Sequence, residues 1–183
     1  MTFKEAIDGI DLHLWSSEPE VGKIIVALKQ LNNFKNILEV GTFKGLTSSY
    51  ILADKKEGEN FVSIDIEDHR CDSVKKFFTY CNGTFILGDS LIKMQDLPTK
   101  SFDLIFLDSY HGLEQVRGEF KIAETLICPN GLICIHDYFS SDGVPIWISY
   151  LKEEQFKGNL KWMEIVNLDT PEHIGFTIVK IIG

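Results

Sequence analysis

Ile37-Leu-Glu-Val-Gly-Thr-Phe-Lys-Gly-Leu-Thr-Ser-Ser-Tyr50 decides how the chain is read. An apolar run interrupted only by Glu39 enters a turn carrying Gly41 and Gly45, and a helix-compatible segment follows. Strand, glycine loop and helix in that order make a ligand-binding corner. Glycine serves such a turn where φ must be positive or where backbone must approach a ligand closely. A glycine pair can also serve helix packing alone, so the neighbouring segments must choose between these readings.

Downstream, the same alternation repeats. Phe61 to Asp65 reads as a second strand, Ser73 to Cys81 as a helix with Val74, Phe77, Phe78 and Cys81 on one side, and Thr84 to Leu87 as a third strand. Asn82-Gly83 stops that helix, and Asp89 or Ser90 can cap a short one reaching Gln95. Asp103-Leu-Ile-Phe-Leu-Asp108 is nearly continuous in apolar residues, as a strand covered on both faces must be. A helix over 113–127 follows, with Leu113, Val116, Phe120, Ala123 and Ile127 on one stripe. Pro129-Asn130-Gly131 then turns the chain into a fifth strand ending at His136-Asp137.

Upstream, Ser17-Glu18-Pro19-Glu20 offers a helix start, and Val21, Ile24, Ile25, Leu28 and Leu31 recur at helical spacing. This predicts a helix with one face on the sheet, ending near Asn32-Asn33. Residues 3–14 could form a short covering helix. Beyond a helix at 145–154, the runs 161–167 and 174–182 are joined by the short polar turn Asp169-Thr-Pro-Glu-His173, which predicts an antiparallel pair with one member in the sheet edge. The expected fold is α/β: a three-layer, doubly wound, mostly parallel seven-stranded sheet with one antiparallel strand near its C-terminal edge. One domain over 1–183 is expected, with a helical segment at 1–34, a binding core at 35–140 and a helix plus strand pair at 141–183.

The bulk composition narrows the function. The 183 residues are 44% apolar and 25% charged, and no apolar run approaches the length of a membrane span. A net charge of -9 without a basic run excludes a nucleic-acid face. Met1-Thr-Phe-Lys-Glu-Ala lacks a signal-peptide pattern, and Cys71, Cys81, Cys128 and Cys134 form no C-x-x-C, so reduced thiols and a cytoplasmic location are expected.

In an open α/β sheet, ligands bind outside the carboxyl ends of the strands. Those ends supply Glu39 with Gly41, Thr42, Phe43 and Gly45; Asp65 with Ile66; Gly88-Asp89-Ser90; Asp108-Ser-Tyr-His111; and His136-Asp137-Tyr138. The loop lacks the central glycine of G-x-G-x-x-G, and Glu39 would repel a diphosphate, so a cationic, phosphate-free ligand suits this rim better than a dinucleotide. Asp65 can accept both hydroxyls of a ribose. His111 could act as a base titrating near neutrality, or cap the next helix. Tyr110 and Tyr138 could wall an acceptor pocket. Glu114 and Glu119 are expected in solvent. Trp15, Phe43 and Trp147 could form an aromatic lid or pack in the core.

These separated motifs, over about residues 35–140, resemble the class I S-adenosylmethionine-dependent methyltransferases. The likeness implies a Rossmann-like methyltransferase fold and S-adenosylmethionine as cofactor. It also implies that Glu39, Gly41, Thr42, Phe43 and Gly45 form the methionine-binding loop, Asp65 and Ile66 the ribose end, and Gly88, Asp89 and Ser90 the adenine side, with Asp108 nearby. Leu107-Asp-Ser-Tyr-His-Gly-Leu-Glu114 and Ile135-His-Asp-Tyr138 are most similar to the macrocin and sugar O-methyltransferases, and next to the catechol type. The resemblance implies a small-molecule hydroxyl acceptor and His111, Asp108 and Asp137 as catalytic residues. The catechol type binds magnesium through an Asp after the fourth strand and an Asp-Asn pair after the fifth. Asp108 and Asp137 match the acids but Tyr138 replaces the Asn, so magnesium or another divalent cation would rest on Asp108 and Asp137, with His136, His111 or water completing the site. The competing expectations are the same fold with hydroxylase-like or NAD-dependent chemistry, and a non-catalytic cofactor-binding subunit. A homodimer is an open option, since no large substrate domain is present to close the pocket.

Overall fold

The computed structural model describes residues 1–10, 19–160, 163–169 and 175–182. Among them, seven strands form one sheet: β1 (Asn36–Val40), β2 (Asn60–Asp65), β3 (Thr84–Leu87), β4 (Phe102–Leu107), β5 (Ile127–His136), β6 (Met163–Leu168) and β7 (Phe176–Ile181). Their spatial order is β3-β2-β1-β4-β5-β7-β6. The strand β7 runs antiparallel to both its neighbours, and the remaining pairs are parallel. The expected antiparallel strand is therefore present. Both members of the C-terminal pair lie in the sheet, rather than one, because β7 inserts between β5 and β6.

Seven helices accompany these strands: α1 (Phe3–Ile7), α2 (Pro19–Asn32), α3 (Leu46–Asp54), α4 (Asp72–Tyr80), α5 (Ser90–Lys93), α6 (Leu113–Leu126) and α7 (Gly143–Phe156). Period-two alternation divides each central strand between two cores. Leu38, Val40, Ile105, Leu107, Ile133 and Ile135 join Val116, Phe120 and Ala123 of α6 and Ile148 and Leu151 of α7. Ile37, Leu104, Phe106, Leu132 and Cys134 join Val21 and Ile25 of α2, Ile51 and Leu52 of α3, and Val74, Phe77 and Phe78 of α4 on the other face. Burial on both faces explains why these strands read as continuous apolar runs.

Two details depart from the sequence pattern. Leu31 is 81% exposed, whereas Lys29 is buried on the row that continues from Val21 and Ile25. There its ammonium lies 2.6 Å from both Asp54 and Glu59. The helix α2 is set against α3 as well as the core: a Cβ at Gly22 would come 2.5 Å from the Tyr50 ring. The N-terminal helix α1 gains a clear place. It starts in a Thr2/Glu5 capping box, packs the Phe3 ring against that of Tyr50 at 4.7 Å with a 52° tilt, and accepts a hydrogen bond at the Ala6 carbonyl from Ser73. The expected cap at Ser17, the aromatic Trp15 and the turn at 170–173 lie outside the described residues.

Candidate active site

Register brings the strand ends level. Val40 pairs with Ile64 and with Leu107, Asp65 with Leu87, and Leu107 with Ile135. The chain winds outward in opposite directions from β1 and β4, so the glycine loop sits at the topological switch point, where an open α/β sheet has its crevice.

Backbone hydrogen bonds stitch the loops together there. Gly41 N donates to Ile64 O (2.9 Å), Asp108 N to Val40 O (2.8 Å) and Gly88 N to Asp65 O (2.8 Å). At Gly41, φ is +96°, and a Cβ would lie 2.0 Å from the Asp108 carbonyl oxygen. Glycine is required at that position by the approach of the two loops to each other. Phe43 also has positive φ (44°), and its N–H donates to Asp65 Oδ2 at 2.6 Å. Glu67 N–H donates to Asp65 Oδ1 at 3.2 Å, so the carboxylate is oriented at the end of β2. Ile66 beside it is 69% exposed, as is much of Leu87 at the neighbouring strand end. Asp89 caps α5 through Leu91 N–H (2.9 Å), while the Ser90 side chain turns inward.

Glu39 is not on the open rim, as its sequence position suggested, but fully buried beneath the loop. It shares the strand face of Ile37. Ser48 and Ser63 hydroxyls donate to its Oε2, Thr42 bonds in turn to Ser63, and Oε1 has no partner among the described residues. Burial pushes this carboxyl up to about 8, against the lowering effect of the two serines.

The ends of β4 and β5 converge on a four-residue cluster. His136 Nδ1 lies 2.9 Å from Asp108 Oδ1 and 3.7 Å from Asp137 Oδ2. His111 Nδ1 lies 2.8 Å from Asp137 Oδ2, and its Nε2 is 3.6 Å from Asp108 Oδ1. At that distance Nε2 is not hydrogen-bonded to Asp108, and among the described residues it is buried without a partner. Burial opposes charge on His111, but the carboxylates of Asp108 and Asp137 outweigh it and raise the imidazole to about 9. His136 is raised in the same way: burial is the largest single influence and opposes charge, and the carboxylates of Asp108 and Asp137 together outweigh it. Burial works to raise Asp108 and Asp137, yet the imidazoles hold both below the usual carboxylate range. Ligand atoms of Asp108, His111 and Asp137 all lie within 4.8 Å of one another, so these three can hold a metal ion. Asp137 itself sits at φ 63°, with Ser140 donating to its Oδ1 at 2.5 Å.

Of the two readings of Trp147, core packing holds: it is buried against Phe120 (5.7 Å) and stacks on Tyr150 (5.1 Å). One expectation is corrected beside this cluster. Glu119 is not solvated but 1% exposed. Its position, three residues after Val116 and four before Ala123, places it on the inward stripe of α6, a signal available in the sequence. Tyr110 is 78% exposed beside the cluster, and Tyr138 is half-buried with its ring 4.9 Å from that of Phe139.

A family model described as a methyltransferase domain matches residues 38–138. A Mycobacterium sp. (strain KMS) protein provisionally named an O-methyltransferase is 27% identical over 105 residues, covering 55% of this chain. That match takes in 48% of the relative, so the chain spans about half its length. Among solved structures, the O-methyltransferase TomG from Streptomyces achromogenes, involved in tomaymycin synthesis and in complex with SAM, aligns with a TM-score of 0.78 at 19% identity over 99% of this chain and 88% of that one. An O-methyltransferase from Bacillus cereus in complex with SAH gives 0.74 at 20% identity, over 98% and 90%. At such identities the likeness speaks for the fold, which is the Rossmann-like one expected.

Proposed function

Since the chain belongs to the methyltransferase domain family, whose model spans residues 38–138, we propose that it transfers a methyl group from S-adenosylmethionine to a hydroxyl of a small molecule. The observation that carries this reading is the meeting of the Gly41 loop, Asp65 and the Asp108–His111–Asp137 cluster at one switch point. When bound, the cofactor supplies an electrophilic methyl on a cationic sulfur. Two features fit that group: the oriented Asp65 for ribose hydroxyls, and the exposed Ile66 and Leu87 as apolar surface for a purine.

His111 is the general base in this reading. Asp137 holds its Nδ1 at 2.8 Å, fixing the ring as a carboxylate orients a catalytic imidazole, and leaves Nε2 to accept the hydroxyl proton. The proton already on the imidazole must be lost first. With His111 raised to about 9, turnover in the absence of a divalent cation rises with pH through the neutral range and levels off above about 9. Positioning of acceptor and cofactor supplies much of the remaining barrier reduction.

A second reading is favoured by the grouping of two carboxylates with imidazole nitrogens. Asp108, Asp137 and His111, with His136 beside them, suit a divalent ion of the manganese-to-zinc series better than magnesium, which prefers oxygen donors. Tyr138, at the position of the catechol-type asparagine, packs against the core and adds no carbonyl ligand. An ion held there would supply Lewis-acid activation of the acceptor hydroxyl. The two readings separate on assay of methyl transfer to a panel of phenols, sugars and hydroxy acids with and without EDTA. Turnover that survives EDTA and follows the alkaline limb supports the base. Turnover abolished by EDTA and restored by manganese or zinc supports the ion. Absence of transfer to every hydroxyl, with adenosylhomocysteine bound, would reject O-methylation of these acceptors.

A further inference from the structure

The helix α6 spends an inward position on a carboxylate. Val116, Phe120 and Ala123 line the same stripe, and an aliphatic side chain at 119 would bury there without desolvating a charge. Glu119 instead gathers three donors on one oxygen: Ser90 Oγ at 2.5 Å, Ser109 Oγ at 2.6 Å and Gln115 Nε2 at 2.9 Å. Gln115 Nε2 also reaches Ser90 Oγ at 2.8 Å, closing the network. The two serines come from different parts of the site. Ser90 opens α5 at the turn after β3, on the side assigned above to the cofactor's adenine. Ser109 stands between Asp108 and His111, in the loop that carries the base.

We propose that Glu119 is a positioning residue that clamps the loop bearing His111 to the turn after β3, so that filling the cofactor side orders the base side. The function rests on the methyltransferase reading given above; the clamp itself rests on the hydrogen bonds. Glu119 touches none of the reacting atoms. Its contacts fix the backbone from Asp108 to His111 through Ser109, and Ser90 carries the state of the adenine side to the same oxygen.

Hydrogen exchange of the amides of Tyr110, His111 and Gly112 tests this with adenosylhomocysteine as the probe. In the wild type the ligand is expected to slow their exchange by about tenfold, as a loop tied down by buried hydrogen bonds opens less often. Glu119→Gln, which keeps an acceptor oxygen, is expected to retain most of that slowing. Glu119→Ala and Ser109→Ala are expected to lose it and to exchange about tenfold faster even without ligand, the rest of the chain being unchanged. Ser90→Ala is expected to lose the ligand response while the free loop stays near its wild-type rate. Equal ligand slowing in Glu119→Ala and wild type overturns the proposal. Should Glu119→Ala not fold, Ser109→Ala decides it by the same comparison. If the wild type binds no adenosylhomocysteine, the methyltransferase reading fails by itself, and the unliganded exchange rates still judge the clamp.

Discussion

His111 and Glu39 carry the site's titration, and their effects on stability have definite signs. The folded value of His111 is raised from the usual 6.5 to about 9. Its contribution to stability is therefore fully present below pH 6.5 and is lost as pH rises through about 9. Asp108 and Asp137 are lowered, so theirs is present at neutral pH and lost as pH falls into the carboxylate range. Thermal melts of wild type and His111→Gln should thus converge between pH 6.5 and 9, and a constant difference in Tm would contradict the assignment. Glu39 runs the other way. An acid raised from 4.5 to about 8 binds its proton more tightly when folded, so stability falls as pH climbs between those values. Glu39→Gln removes that slope, and the wild type should lose Tm relative to the variant from pH 5 to 8. Both residues are visible in the sequence as types at strand ends. The side chains they meet come from other strands: Ser63 reaches Glu39 across the β1–β2 pairing from 24 residues on in the chain, and His111 meets Asp137 only because β4 pairs with β5.

At the scale of elements, the glycine loop is held by its neighbours as much as by its own conformation. Gly41→Ala would combine a positive φ with a Cβ 2.0 Å from the Asp108 carbonyl oxygen. Strain of this kind costs about 1–3 kcal/mol, and overlap with backbone adds to it. We expect Gly41→Ala to lower stability by at least 2 kcal/mol or so in urea titration; a loss below about 0.5 kcal/mol would mean that the β1 and β4 loops can part freely. The strands and most helices were legible because period-two burial and 3.6-residue stripes leave direct marks, as in Phe102–Leu107 and in Val74, Phe77 and Phe78. Leu31 and Glu119 were misread for one reason. A single stripe was drawn through the apolar residues, whereas α2 buries the row 21–25–29 against α3, and α6 buries a hydrogen-bonded acid on its inward face. Position 119 falls on the inward row by spacing alone; what spacing does not show is Ser90 and Ser109, the partners from other elements that make a carboxylate tenable there.

At the scale of the whole molecule, the sheet brings the loops that carry the candidate groups to one end, with Glu39 buried beneath them, because five parallel strands end level and reverse their winding between β1 and β4. The family likeness could be read from motif order alone. The buried clamp at Glu119 and the paired histidines required the sheet to be closed. The central claim is that this rim binds a sulfur nucleoside, and calorimetric titration of adenosylhomocysteine into wild type and Asp65→Ala tests it most directly. Saturable binding at one site per chain, weakened at least about tenfold when the Asp65 carboxylate is removed, is the result expected; absence of binding to the wild type, or the same affinity in Asp65→Ala, would contradict it.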